Sequence, residues 1–200
     1  MKTLAVYCGA AEGAHSLYAD AARQLARALV AHNIGLVYGG GKVGLMGVIA
    51  DEVLRLGGEA TGVIPRALVE REVGHAGLTR LFVVKDMHER KAMMSDLSEG
   101  FIAMPGGVGT LEELFEMVPW AQLGIHAKPI GLLNVNGFWD GLRAFVRHQC
   151  AQGFVRPEHE GLMMAESDPA ALIRRLRAAA PAPALQAAVE ADAAARGLRG

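Results

Sequence analysis

Two spacings alternate along this chain. Residues 4–8, 35–38, 60–64, 80–84, 101–104 and 130–133 are short apolar runs closed by glycine, proline or a polar turn, as buried parallel strands are. Between them, apolar residues return every three or four positions. Residues 16–32 set Leu17, Ala21, Leu25, Ala28 and Leu29 on one helical face, and residues 45–56, 87–97, 110–123 and 138–152 also read as helix. Gly57-Gly58 supplies a stop for the second of these helices. The stretch 66–79 breaks the rhythm. It carries Glu70-Arg71-Glu72, His75 and Gly77 and reads as a loop or a short helix over the surface. Strands alternating with helices at this cadence predict an α/β fold, a parallel sheet covered by helices on both faces in a single domain. Such sheets bind ligands where loops leave the carboxyl ends of the strands.

Composition narrows the class of partner. A chain of 200 residues with 52% hydrophobic content has ample material for one core. A formal net charge of −1 gives no global field for nucleic acid or an anionic membrane, so neither is expected as a partner. The opening M-K-T-L-A-V-Y-C-G lacks a signal-length apolar region and a cleavage site, and reads as the first strand. No run approaches the roughly 18–20 apolar residues of a membrane span. A cytoplasmic protein is expected, with Cys8 and Cys150 kept as reduced thiols. From Pro181 the chain turns to alanine with few large apolar side chains. The expected division is one domain over 1–180 and an alanine-rich, frayed or partly helical tail over 181–200.

The unusual chemistry is concentrated in A-M-P-G-G-V-G-T-L-E-E-L-F-E, residues 103–116. A strand runs into Pro105, then a glycine-rich loop, then a helix. Glycines let the backbone approach a ligand closely, and the helix mouth turns N–H groups and a partial positive charge toward it, which makes an anion site. Thr110-Leu111-Glu112-Glu113 has a plain structural explanation, a capping box in which Thr110 caps the helix and Glu113 reaches back. A carboxylate one turn inside a phosphate-binding mouth is nevertheless costly unless it grips sugar hydroxyls or a developing cation. Gly39, Gly41 and Gly44 fit the dinucleotide pattern G-x-G-x-x-G, but after the second strand, and Glu59 precedes the next strand instead of ending it. Gly40 and Gly41 are therefore candidates for phosphate or ribose contact, beside the alternative of a tight turn that packs a helix on the sheet. Arg90 and Lys91, near a helix start, oppose its dipole and are either a solvated turn or a phosphate clamp.

Other chemistries find no support. The seven histidines show no H-x-x-x-H spacing and the cysteines no C-x-x-C, so no metal is expected. There is no G-x-S-x-G elbow, and the loop at 106–110 lacks the lysine of an NTPase P-loop. None of Lys2, Lys42, Lys85, Lys91 and Lys128 sits in a motif that recommends it for pyridoxal phosphate, and no cofactor is expected.

P-G-G-V-G-T-L-E-E, from Pro105 to Glu113, resembles the P-G-G-x-G-T-x-x-E signature of the LOG ("Lonely Guy") family of cytokinin riboside 5′-monophosphate phosphoribohydrolases, once mislabelled lysine decarboxylases. Met87-His88-Glu89-Arg90-Lys91 is similar to the family's M-H-x-R-K, and Cys8-Gly9, Gly39 to Gly41, Gly62 to Pro65 and Trp120 to Gly124 agree in order. The resemblance spans roughly residues 3–180. It implies a Rossmann-like, doubly wound homodimer that cleaves the N-glycosidic bond of N6-modified AMP, or of AMP, to free base and ribose 5-phosphate. Carried over, Arg90 and Glu113 are the catalytic pair. Glu72, Arg90, Lys91, Gly106, Gly107, Val108, Gly109, Thr110, Leu111 and Glu112 are the substrate-binding positions. Ala10-Ala11 departs from the serines of many members and removes two hydroxyls. A carrier or sensor that binds nucleotide without turnover is the competing class.

Overall fold

A computed structural model describes residues 1–69 and 74–198. Strands β1 (Thr3–Tyr7), β2 (Gly35–Tyr38), β3 (Ala60–Pro65), β4 (Arg80–Val84), β5 (Phe101–Ala103), β6 (Ile130–Leu133) and β7 (Met163–Glu166) form one sheet in the order β4-β3-β2-β1-β5-β6-β7. Every neighbouring pair is parallel. The helices are α1 (Leu17–Ala31), α2 (Gly44–Arg55), the short α3 (Arg66–Val69), α4 (Met87–Asp96), α5 (Val108–Gln122), α6 (Asp140–Ala151), α7 (Pro169–Ala179) and α8 (Pro183–Ala195). Among the described residues no helix is long and apolar enough to cross a membrane.

The inner strands β1, β2, β3, β5 and β6 are largely apolar because both of their faces are covered, whereas the edge strand β4 leaves Leu81 and Val83 exposed. Leu4, Val6 and Leu36 pack with α1, α2 and α7, whereas Ala5, Tyr7 and Val37 pack with α4, α5 and α6. That is the doubly wound arrangement of the sequence reading. Glu52 of α2 ties the first layer together, since it accepts hydrogen bonds from Arg27 Nε of α1 at 3.0 Å and from Arg55 Nε at 2.7 Å. Arg55 is the main reason that its carboxyl titrates at about 2, with burial opposing and Arg27 assisting.

The structure adds elements that local spacing does not announce. β7 is four residues, M-M-A-E, at the sheet edge with three of them only half-buried, so no apolar run marks it. α7 follows, with Asp168 capping Ala171 N at 2.7 Å and Leu172, Ile173 and Leu176 buried. The alanine-rich tail is laid against the body as α8. Its Gln186 Oε1 accepts from Ala127 N at 3.1 Å, its Glu190 pairs with Lys128 at 3.4 Å, and Ala193 is buried. Cys8 and Cys150 are free thiols.

Candidate active site

The sheet order fixes where a ligand can sit. β2, β3 and β4 extend to one side of β1, while β5, β6 and β7 extend to the other, so the topology reverses between β1 and β5. Loops diverge at such a point and leave a crevice at the strand carboxyl ends. The loops after β2, β1 and β5 are the three glycine-rich ones, and they lie side by side. Gly9 N donates to Pro105 O at 3.1 Å, and Leu45 N donates to Gly9 O at 3.0 Å. Gly44 has φ +59°, and a Cβ there would stand 2.3 Å from the Ala10 carbonyl carbon. That contact requires glycine for both conformation and space.

The third loop opens directly into α5. The helix begins at Val108, and its N-cap is Gly107, which offers no side-chain hydrogen bond. Thr110 therefore lies inside the first turn, buried, and the capping box expected from T-x-x-E is not the start of this helix. The physical reason is that the chain already turns helical at the glycines, which leaves the leading N–H groups without a side-chain cap and available to an anion.

Glu113, one turn further in, is only 7% exposed. Its Oε1 lies 3.2 Å from Nη2 of Arg90, itself 8% exposed. The guanidinium is held from other directions too. Nε donates to the Val63 carbonyl of β3 at 3.1 Å, and Nη1 reaches Met87 Sδ at 3.7 Å. Gly39 makes room for it, because a Cβ there would stand 2.1 Å from Nη2. Arg90 and Glu113 line a cavity of about 220 Å3 with Cys8, Ala10, Met46, Gly107, Gly109 and Thr110. Ala10 and Gly107 also border a neighbouring cavity of about 460 Å3, walled by Ala11, Tyr18, Leu45, Pro105 and Phe138. Burial, aided by the Glu113 charge, pushes the Cys8 thiol and the Tyr7 phenol well above their ordinary pKa values. Both stay protonated at neutral pH, so neither supplies an anionic nucleophile.

The other sequence-derived candidates divide by place. Lys91 is buried and its ammonium pairs with Glu112 and Glu116 of α5. Burial opposes its charged form, yet the hydrogen bond it donates to Glu112 and its pairing with Glu116 outweigh that and hold its pKa above the ordinary value. Gly40 and Gly41 are buried against the chain that leads into β4: His75 N donates to Gly40 O at 3.3 Å, and Gly41 pairs with Gly74. Gly106 borders the larger cavity, Val108 is 82% exposed at the mouth, and Leu111 packs against the core. Glu72 lies outside the described residues. Tyr18 and Phe138, whose rings meet edge-on at 6.0 Å, were not singled out in the sequence. They are 120 positions apart, and only the fold brings them together.

An open parallel α/β sheet with a glycine-lined helix mouth at its switch point, and a buried arginine–glutamate pair inside it, defines a Rossmann-like fold with a candidate anion site. Over residues 46–176 the chain matches the family described as possible lysine decarboxylase. It is 46% identical over 180 residues to the probable cytokinin riboside 5′-monophosphate phosphoribohydrolase LOGL2 of Oryza sativa subsp. japonica, covering 90% of this chain and 74% of that one. It is 44% identical to the cytokinin riboside 5′-monophosphate phosphoribohydrolase LOG5 of Arabidopsis thaliana (90% and 79% covered), and 45% identical to LOG1 of that plant (88% and 82%). The molybdenum cofactor carrier protein of Chlamydomonas reinhardtii superposes with a TM-score of 0.66 at 19% identity, over 88% of this chain and 96% of that one. The molybdenum cofactor binding protein of Rippkaea orientalis does so with the same score and identity, over 88% and 95%. Those two share the fold. The chain belongs to the LOG family.

Proposed function

We propose that this chain is a phosphoribohydrolase that cleaves the N-glycosidic bond of N6-modified adenosine 5′-monophosphates, of AMP, or of both. The carrying observation is the Glu113 carboxylate, held against Arg90 one turn inside a helix mouth without a side-chain cap. The phosphate is anchored by N–H groups of the loop at 106–110 and by the positive end of α5. With the phosphate there, the ribose lies along Glu113, and the adjoining apolar cavity receives the base.

In the reaction the bond between C1′ and the base nitrogen breaks, the base leaves with its bonding electrons and gains a proton, and water adds its oxygen to C1′. The transition state carries positive charge on the sugar, and a buried carboxylate fixed beforehand stabilises it. Glu113 takes that role and orients the water. A guanidinium is a poor proton donor, so Arg90 acts by holding Glu113 in place and by its charge. Identity of about 45% with phosphoribohydrolases supports turnover over a carrier role. A cytoplasmic location and a homodimer are part of the proposal, and the outward side of α5, where Val108, Phe115 and Leu123 are exposed, supports the dimer.

Incubation with AMP and with N6-isopentenyl-AMP, followed by chromatography, tests the reading. Free base and ribose 5-phosphate are expected from at least one of them. Nucleotide binding without cleavage of either replaces the enzyme with a carrier.

A further inference from the structure

We propose that Asp51 and His75 form a positioning clasp for the candidate active site. They pin the chain entering β4 across the glycine loop after β2, and that loop is the wall that keeps the Arg90 guanidinium against Glu113. The inference rests on the phosphoribohydrolase reading and adds two positioning residues to its site. Neither Asp51 nor His75 lines the Arg90–Glu113 cavity, so neither touches the reacting atoms.

His75 lies in a connecting stretch that reads as surface, yet it is only 6% exposed. A buried imidazole needs a partner for each nitrogen. Gly77 N donates to Nδ1 at 3.3 Å, which places the proton on Nε2, and Nε2 donates to Asp51 Oδ1 of α2 at 2.7 Å. The backbone of the same residue faces the glycine loop: His75 N donates to Gly40 O, and Gly74 bridges to Gly41. One residue thus ties α2 to the loop after β2. That loop has little freedom to move without consequence. A Cβ at Gly39 would stand 2.1 Å from Arg90 Nη2, so the guanidinium rests on the loop backbone. Gly40 is in turn seated on β3, where a Cβ at Gly62 would stand 2.8 Å from Gly40 Cα. Arg90 Nε is fixed separately by Val63 O, and Nη2, the nitrogen nearest the loop, is the one that meets Glu113. A loop that lifts gives Nη2 room to leave the carboxylate, whereas a pinned loop keeps the pair closed. Asp51 is itself 61% exposed, so it adds little to the core and acts through the bond it accepts.

Asp51→Ala, Asp51→Asn, His75→Ala and His75→Gln test this. The readouts are Tm, kcat and KM for AMP and N6-isopentenyl-AMP, and the Arg90 Nε–H signal in proton–nitrogen NMR spectra, identified by its loss in Arg90→Lys. In wild-type protein that N–H is buried and bonded to Val63 O, so it exchanges slowly with solvent. In Asp51→Ala and His75→Ala the signal shifts and exchanges roughly tenfold faster or more. In the same variants kcat falls by about tenfold while KM stays within about threefold. His75→Gln keeps a donor for Asp51, and Asp51→Asn keeps an acceptor for His75, so both retain most of kcat and the slow signal. Asp51→Ala removes an exposed side chain and supplies the folded comparison if His75→Ala is unstable. A lowered Tm with kcat and the Arg90 signal unchanged makes the pair a support of the fold alone and overturns the proposal. The NMR signal is read without turnover. If wild-type protein cleaves neither nucleotide while the Arg90 signal still responds to Asp51→Ala, the enzyme reading fails and the clasp stands.

Discussion

At the scale of single residues, Glu113 meets two demands that pull apart. A buried carboxylate needs a partner, and Arg90 supplies it at 3.2 Å. A catalytic carboxylate must also stay ionised and face the cavity, and it lines that cavity together with Arg90. Glu113→Gln keeps an oxygen to accept from Arg90 but removes the charge that the sugar cation needs. We expect kcat to fall by roughly 100-fold or more, the range for removing a preorganised electrostatic contact, with only a small change in Tm. Turnover and Tm measured on one sample check this. Retained turnover with a collapsed Tm would return Glu113 to a purely structural role. The motif T-x-x-E made capping the simpler explanation in the sequence, and it misled about where the helix begins. Gly107 and Val108 already belong to the helix start, a matter of backbone path that no side-chain pattern displays.

At the scale of elements, the clasp between α1 and α2 gives a pH-dependent prediction. The Glu52 carboxyl is held at about 2 in the folded chain, against about 4.5 for an ordinary glutamate. A lowered folded-state pKa contributes stability above the unfolded value and loses it as pH falls toward the folded one. Glu52→Gln should therefore lower Tm at pH 6–7, and the gap from wild type should close between about pH 4.5 and pH 2. A gap that stays constant over that range would show that the clasp adds nothing through charge. The helix pattern of α1 was plain in the sequence because its apolar face repeats within four residues. Glu52 was not, because Arg27 lies 25 positions away and no local signal pairs them.

For the whole molecule, α5 presents two faces. Leu114, Met117 and Val118 enter the core, while Val108, Phe115 and Leu123 remain exposed. A helix with apolar residues on both sides is one that a second surface can cover. If the proposed homodimer pairs through this face, Phe115→Glu converts it to monomer in light scattering coupled to gel filtration. A wild-type chain that is already monomeric at all concentrations would remove that face as an interface. The tail bears on the same scale. The stretch that reads as a frayed or partly helical tail forms a helix tied to the body through Gln186 and Glu190, contacts that composition does not disclose.

The sequence by itself determined the alternation of strands and helices, the parallel sheet, the three glycine loops at strand ends and the two charged motifs. Each is written in neighbouring residues, through short continuous apolar runs, the helical period of 3.6 and the special freedom of glycine. Tertiary structure alone decided which of the adjacent cations meets which carboxylate. Arg90 goes to Glu113 and Lys91 to Glu112 and Glu116, although the sequence offered both for the phosphate. It also decided that Gly40 and Gly41 lie against the chain that leads into β4, that Tyr18 meets Phe138, and that a seventh strand closes the edge. The physical reason is common to all of these. They are contacts between residues far apart in the chain, and their partners are chosen by the angle at which one packed element meets another.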